Sequence, residues 1–199
     1  MVFAGHCAFA GGNVSYPDWP NVGSVQNSTE ENWSKTTGTT KIGTQTEYRG
    51  DVALIRFFSE KATYRVYTGG INSVINNLVL SYAPWSLRDD QICANGASDG
   101  ENCGKVVATK VNIHYTVQGP AVEGDNVWLR NAVRAEPTNW NQCPILGDSG
   151  APVYKRWNNE VIARGIYSGG GGDILAGCNF YFTDIMDAYL ALPGGPQTS

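Results

Sequence analysis

The sequence has few charged residues and no run of basic ones. Only 16% of its 199 residues are Asp, Glu, Lys or Arg, and the net charge is −4. Proteins that bind a phosphate backbone carry clustered lysine and arginine, so we expect no nucleic-acid partner. No apolar run reaches the roughly 18 residues that a membrane helix needs, so we expect no membrane partner. The first residues also lack the basic start and long apolar centre of a signal peptide.

Cysteine and histidine are too sparse and too scattered for a structural zinc site. The chain has five cysteines and two histidines, and no two cysteines stand in a Cys-x-x-Cys spacing. We therefore predict no metal, and we interpret the cysteines as disulfide formers, which favours an oxidising compartment. Because five is an odd number, at least one cysteine has no partner within the chain.

Glycine and aromatic residues are frequent instead. The 24 glycines and the aromatic content of 11% favour an all-β chain, and the length suits one large β domain or two small barrels that share a core. Strand-like segments alternate with turn residues, as in barrels and sandwiches; they lie at 50–57, 64–70, 105–117, 125–136, 151–157 and 161–170. One helix is predicted, at about 184–192, capped by Thr183 or Asp184 and ended by Pro193.

The four residues Gly-Asp-Ser-Gly at 147–150 raise the question of a catalytic serine. They could form a simple turn before a strand. A serine becomes a nucleophile only when it has a base in hydrogen-bond reach, a group that orients the base, and backbone donors for the oxyanion. Of the two histidines, His114 lies in a strand-like segment and is interpreted as structural, whereas His6 lies in a turn of small residues. Asp51, which heads an apolar segment, is the candidate orienting group.

The order His6, Asp51, Ser149 along the chain is that of chymotrypsin-type enzymes. It differs from the orders in subtilisins and in α/β-hydrolases, and the Gly-x-Ser-x-Gly elbow of the latter is absent. The segments around these residues read FAGHC, DVALIRF and GDSGAPVY. In these segments the sequence resembles the chymotrypsin-like serine endopeptidases.

Two further segments resemble the secreted bacterial branch of that family, which includes the streptogrisins. ICANGASDGENCGKV at 92–106 is similar to its short disulfide loop, and CPILGDSG at 143–150 has its spacing between cysteine and serine. The segment GIYSGGGG at 165–172 is similar to the strand that lines the substrate cleft. The resemblance therefore extends over most of the chain.

The resemblance implies an all-β fold of two six-stranded antiparallel barrels of the chymotrypsin type, with a C-terminal helix. Residues 1–85 would form the first barrel with His6 and Asp51, and residues 86–199 the second barrel with Ser149. In the family, further strands precede the histidine motif. We therefore expect an incomplete first barrel here, weak or no turnover by the chain as it stands, and a natural protein that carries an upstream secretion signal.

Roles follow from the same resemblance. Ser149 would be the nucleophile, His6 the general base and then general acid, and Asp51 the group that fixes the imidazole tautomer. The backbone N–H groups of Gly147 and Ser149 would form the oxyanion hole. An alternative is a catalytically weak or inactive module that keeps the fold and binds other proteins.

The resemblance also implies the substrate contacts, the partners and the location. The substrate backbone would pair with Ser168, Gly169 and Gly170 as an added strand. The substrates would be proteins or peptides, no cofactor would be needed, and the full-length protein would be a secreted monomer. Side-chain preference stays open: Asp173 would favour Lys or Arg, whereas Tyr167 and Phe180 would favour an apolar side chain.

Disulfides are implied between Cys93 and Cys103 and between Cys143 and Cys178. Cys7 would be left over, because its usual partner in the family lies upstream of this sequence.

Asp148 has a structural role in the family, where a buried salt bridge holds the oxyanion loop in shape. Bacterial relatives often supply an arginine at the position that is Ala94 here. A buried carboxylate without a partner would be costly, so another partner such as Arg88 is needed.

Overall fold

The computed structural model describes residues 2–7, 13–16, 19–25, 41–42, 45–48, 50–57, 63–116, 126–139, 143, 147–171 and 178–192. A 3₁₀-helix spans Gly5–Cys7, and helix α1 spans Ile185–Ala191. The strands are β1 (Val2–Phe3), β2 (Asn13–Tyr16), β3 (Trp19–Val25), β4 (Lys41–Ile42), β5 (Gln45–Tyr48), β6 (Ala53–Phe57), β7 (Arg65–Tyr67), β8 (Asn76–Tyr82), β9 (Gln91–Gly96), β10 (Gly100–Thr116), β11 (Asn126–Pro137), β12 (Pro152–Trp157), β13 (Glu160–Gly171) and β14 (Asn179–Asp184). Neither helix in this part of the chain is long and apolar enough to cross a membrane.

A closed barrel of six antiparallel strands forms the carboxyl-terminal half. The strands are paired in the order β12, β9, β10, β11, β14 and β13, and β13 pairs back with β12 to close the barrel. Alternate side chains of a strand point to opposite faces, and in β14 this places Phe180 and Phe182 in the interior with no exposed surface. The interior is filled by Ile92, Ala94, Val106, Val133, Ala135, Ala151, Val153, Tyr167, Phe180 and Phe182.

Two more strands extend this barrel sheet on one side. Strand β8 pairs in parallel with β13, and β7 pairs antiparallel with β8. Both strands precede residue 85, where the sequence predicts the boundary between the two barrels. That boundary stays a prediction.

Six strands lie among the described residues that precede β7. Four of them form a sheet in the order β1, β6, β3 and β2, and β4 pairs with β5 in a separate hairpin. Among the described residues these strands do not close into a barrel. The described part of the molecule is therefore all-β, with a closed barrel, a four-stranded sheet and a hairpin in the amino-terminal half, and a short C-terminal helix.

Helix α1 lies within the predicted segment 184–192, and one of the two predicted cap residues stands at its start. Asp184 occupies the N-cap position without a capping hydrogen bond from its side chain. Its carboxylate instead accepts hydrogen bonds from the backbone N–H and the hydroxyl of Ser86, at 3.1 and 2.6 Å. Burial raises the pKa of Asp184 to about 6, and the contact ties the start of the helix to the β8–β9 connection.

The two halves share an apolar cluster beside the helix. Val52, just before β6, is fully buried and packs with Ile166 of β13 and with Ala188 and Ala191 of α1. The ring of Phe3 packs against the backbone of Gly150. These contacts hold β1 and the start of β6 against the closed barrel.

The structure contains disulfides Cys93–Cys103 and Cys143–Cys178, the two pairs that the resemblance implies. Cys7 has an exposed thiol outside both bridges.

Replacing Ile92 by alanine tests the packing of the barrel. Ile92 is 1% exposed and belongs to the interior cluster, so Ile92→Ala should lower the free energy of unfolding by about 2–5 kcal/mol through lost burial and a residual cavity. Ile75→Ala is the matched control, because Ile75 is 62% exposed. Urea denaturation of both variants measures the difference. Equal losses would contradict the described barrel interior.

Candidate active site

His6 and Asp51 meet because β1 pairs with β6. Phe3 lies opposite Ala53 in this pairing, so the 3₁₀-helix after β1 reaches the residues just before β6. The backbone N–H of His6 donates to Asp51 Oδ1 at 2.8 Å, and His6 Nδ1 lies 2.5 Å from Asp51 Oδ2. Both residues are buried, with 3% and 1% exposure. Both carboxylate oxygens of Asp51 are thus engaged by one residue.

The closed barrel holds the segment that carries Asp51. The backbone N–H of Asp51 donates to Thr183 Oγ1 on β14 at 2.9 Å, and the N–H of Gly50 donates to the carbonyl of Arg130 on β11 at 3.0 Å. Thr183 is fully buried. The carboxylate is therefore positioned by strands that lie far from it in sequence.

Ser149 lies in a tight turn before β12. The turn is held by hydrogen bonds from the N–H of Ala151 to the carbonyl of Asp148 at 2.9 Å, and from the N–H of Gly150 to the carbonyl of Tyr167 at 2.8 Å. Ser149 Oγ lies 3.1 Å from His6 Nε2 and 3.2 Å from the carbonyl oxygen of Ser168. The structure thus brings Asp51, His6 and Ser149 into one continuous line of contacts.

Asp51 raises the pKa of His6. Burial of the ring on its own would lower the pKa of His6, but the negative charge of Asp51 and its hydrogen bond outweigh burial and raise the pKa above its usual value. A carboxylate can only accept a hydrogen bond, so Nδ1 carries the proton and Nε2 faces Ser149 as the acceptor in the neutral ring. This arrangement favours proton uptake at Nε2.

The backbone around Gly147 has a conformation suited to glycine. Its φ is +100°, and a Cβ at this position would lie 2.3 Å from Ser98 Oγ. The N–H groups of Gly147 and Ser149, the two predicted oxyanion donors, have no hydrogen-bond acceptor among the described residues.

Strand β13 passes directly beside Ser149. Its pairing with β12 ends at Ile166, and beyond that point Gly169 and Gly170 pair with β14 alone in the described part of the chain. The register with β14 shifts between Tyr167 and Gly169. Ser168 is fully buried, whereas Gly170 is exposed. The edge at the two glycines is thus accessible next to the serine.

Asp148 does not contact Arg88, the partner that the sequence analysis named. Asp148 is 3% exposed, whereas Arg88 lies exposed between β8 and β9. Asp148 Oδ1 accepts a hydrogen bond from the backbone N–H of Ser98 at 2.8 Å. Arg88 is therefore not the partner. Ser98 was missed because it stands in a segment with an ordinary turn composition.

The sequence also offered one further histidine and three residues for the specificity pocket. His114 is exposed on β10. Tyr167 and Phe180 lie in the barrel interior with ring centroids 6.3 Å apart, and Asp173 lies outside the described residues.

Two of three neighbouring residues with metal-binding side chains are joined to each other in a disulfide. Cys93, Glu101 and Cys103 lie close together. The two sulfur atoms are joined in a disulfide, so the group cannot bind a metal through thiolates.

Comparison with solved structures shows the fold of this chain. Cellulomonas bogoriensis chymotrypsin is 20% identical, with a TM-score of 0.61 over 92% of this chain and 78% of that chain. Thermobifida fusca protease A is 23% identical, with a TM-score of 0.60 over 92% and 76%, and Nocardiopsis protease is 22% identical, with a TM-score of 0.62 over 93% and 78%. No family model and no curated protein sequence matches the chain.

These solved structures are bacterial proteases of the chymotrypsin type. The chain therefore has the chymotrypsin-like fold: the predicted all-β class, one six-stranded barrel and the C-terminal helix are confirmed, and the other predicted barrel is confirmed only in part.

Thr183→Val tests the support of Asp51. Valine has nearly the shape of threonine but cannot accept the hydrogen bond from the buried Asp51 N–H. An unsatisfied buried donor costs about 1–3 kcal/mol, so the free energy of unfolding should fall by that amount in denaturant titration. Thr109→Val, at an exposed position of β10, should change it far less. An equal effect of the two substitutions would contradict the support role.

Proposed function

We propose that this protein is a serine endopeptidase that hydrolyses peptide bonds through an acyl-enzyme. One observation carries the proposal: His6 contacts Asp51 through Nδ1 at 2.5 Å and Ser149 through Nε2 at 3.1 Å. A hydroxyl, an imidazole and a buried carboxylate in this order are the groups that activate a serine for attack on a carbonyl. The chymotrypsin-like fold supports a protease rather than another hydrolase.

In the first step Ser149 Oγ attacks the carbonyl carbon of the scissile peptide bond. The hydroxyl proton moves to His6 Nε2 as the new C–O bond forms, and the carbonyl oxygen becomes an oxyanion. Asp51 stabilises the resulting imidazolium and remains ionised. The N–H groups of Gly147 and Ser149 would donate to the oxyanion, and losing one such donor typically costs about 3 kcal/mol in the transition state.

In the second step His6 returns its proton to the nitrogen of the leaving amine, and the C–N bond breaks. The acyl group stays on Ser149 as an ester. Water then attacks the ester carbonyl while His6 accepts a proton from it, and the proton finally returns to Ser149 Oγ as the carboxylic acid leaves. No cofactor or metal enters this sequence of steps.

Peptide substrates would bind along β13. An extended peptide that pairs with the edge at Gly169 and Gly170 would run past Ser149 and present its carbonyl to the serine. This geometry supports protein or peptide substrates. The two disulfides support a secreted protein, and we propose that it acts as a monomer.

Labelling with a fluorophosphonate probe tests the proposed function. The probe reacts with serine hydroxyls that are activated by a base, so the wild-type chain should be labelled at Ser149. Ser149→Ala and His6→Ala should each abolish labelling, because the three groups act as a unit. Peptide mapping by mass spectrometry identifies the modified residue.

The control is His114→Ala, since His114 is the only other histidine and is exposed on β10. This variant should be labelled at the wild-type rate. Labelling that persists in His6→Ala would show that His6 is not the base. A folded wild-type chain without any labelling would favour an inactive binding module.

A further inference from the structure

The turn that joins β9 to β10 lies directly against the residues around Ser149. Gly96 and Gly100 pair at the ends of the two strands, and residues 97–99 form the turn between them. The backbone N–H of Ser98 donates a hydrogen bond to Asp148 Oδ1 at 2.8 Å. Asp148 is only 3% exposed, so its carboxyl group lies against the turn rather than in solvent.

Gly96 provides the space in which this carboxyl group lies. A Cβ built on Gly96 would lie within 2.5 Å of three Asp148 atoms, which are Oδ1, Cγ and Cβ. Any residue with a side chain at this position must therefore displace the side chain of Asp148. Gly96 is not among the glycines with a positive φ, so alanine is disfavoured here by this contact and not by the backbone conformation.

The side chain of Ser98 contacts the residue that precedes Asp148. Gly147 has a φ of +100°, and a Cβ at Gly147 would lie 3.6 Å from Ser98 Cβ and closer still to Ser98 Oγ. Ser98 therefore faces two consecutive residues of the oxyanion loop, which comprises residues 147–149. Its hydroxyl lies beside Gly147, and its backbone N–H is bonded to Asp148.

The orientation of Asp148 determines where one proposed oxyanion donor points. The N–H of Ser149 and the carbonyl group of Asp148 belong to the same peptide unit, and that carbonyl accepts a hydrogen bond from the N–H of Ala151 at 2.9 Å. The two groups of a trans peptide unit point in opposite directions. A shift of the Asp148 side chain that rotates this unit would therefore turn the Ser149 N–H away from its present direction.

The turn itself is held on both of its strands. The disulfide Cys93–Cys103 joins β9 to β10, and the backbone N–H of Glu101 donates to the carbonyl of Gly69 at 2.8 Å. These contacts make the turn a fixed support for the oxyanion loop.

We propose that Gly96 and Ser98 are positioning residues, which hold the Asp148 side chain and thereby keep the N–H groups of Gly147 and Ser149 in the orientation that stabilises the oxyanion. This inference rests on the proposed function for its effect on turnover. The hydrogen bond from Ser98 to Asp148 is tested without activity. Because the donor is an uncharged backbone N–H, Asp148 needs an acceptor oxygen at this place more than it needs a negative charge.

Gly96→Ala tests the space that the glycine provides. The added Cβ should displace the Asp148 side chain, so kcat on a peptide substrate should fall at least about tenfold while KM stays within about twofold, since contacts made in the transition state are lost. Gly70→Ala is the matched control, because Gly70 is exposed and a Cβ there would meet no atom within 4 Å. Its kcat should equal that of wild type. Thermal melting gives the folded fraction of each variant, to which kcat is normalised.

Two variants of Asp148 provide a test that does not require Gly96→Ala to fold. Asparagine keeps an Oδ1 that accepts the Ser98 N–H, whereas alanine removes the acceptor. A hydrogen bond to a neutral oxygen is weaker than one to a carboxylate, so Asp148→Asn should lower kcat by less than about tenfold. Asp148→Ala should lower kcat by about 100-fold, which approaches the loss of an oxyanion donor.

Hydrogen exchange of the Ser98 amide, measured by ¹⁵N NMR, tests the hydrogen bond itself. The amide should exchange slowly in wild type and in Asp148→Asn, because an acceptor oxygen is present in both. In Asp148→Ala the acceptor is missing, and the exchange should be at least about tenfold faster.

Three results would overturn the proposal. A wild-type kcat per folded molecule in Gly96→Ala would show that the space at Gly96 does not position the loop. Equal values of kcat for Asp148→Asn and Asp148→Ala would show that the bond from Ser98 does not position it either. Equal exchange of the Ser98 amide in wild type and Asp148→Ala would show that the bond does not hold Asp148.

Failure of the proposed function gives a different result. A folded wild-type chain without turnover or fluorophosphonate labelling would refute that function and the catalytic role of the turn. The exchange of the Ser98 amide would still decide whether Ser98 holds Asp148.

Discussion

The hydrogen bonds between Asp51 and His6 are the contact on which the candidate site depends. One carboxylate oxygen accepts from the His6 backbone and the other faces the ring, so the position and the rotation of the imidazole are both fixed. Since the whole pair is buried, the interaction is not weakened by solvent. Only one ring nitrogen then remains for Ser149, and it faces the serine hydroxyl.

The closed barrel provides the rigid frame for this contact. Ser149 is held by hydrogen bonds between its turn and β13, and Asp51 is held through Thr183 on β14. Val52 adds apolar packing against β13 and α1. The amino-terminal half thus contributes His6 and Asp51, whereas strands of the carboxyl-terminal half determine where Asp51 lies. A defect in the barrel would disturb the proposed nucleophile and the proposed orienting group together.

Local sequence patterns predicted much of the fold but not the contacts between distant segments. Strands β6, β7 and β10 to β13 have apolar runs or alternation and were predicted. Strands β8, β9 and β14 were missed, because each has only three consecutive apolar residues between polar ends, and their burial comes from neighbouring strands.

The same limit applies to the candidate site. His6, Asp51 and Ser149 each stand in a recognisable short segment, and their order along the chain connects them. Thr183 suggested only a helix cap, yet in the fold it supports Asp51. Ser98 suggested only a turn, yet its backbone N–H donates to Asp148, 50 positions away along the chain. Neither contact can be read from spacing, because each depends on how strands pair across the barrel.

The ¹⁵N NMR titration of the His6 ring tests the central claim most directly, in a chain with His114→Ala so that a single histidine remains. We predict that the neutral ring carries its proton on Nδ1, and that the titration midpoint lies above the usual value of 6.5. In Asp51→Asn the midpoint should fall, because the charge that holds the proton is lost. A neutral ring protonated on Nε2, or a midpoint below 6.5 that does not respond to Asp51→Asn, would contradict the account.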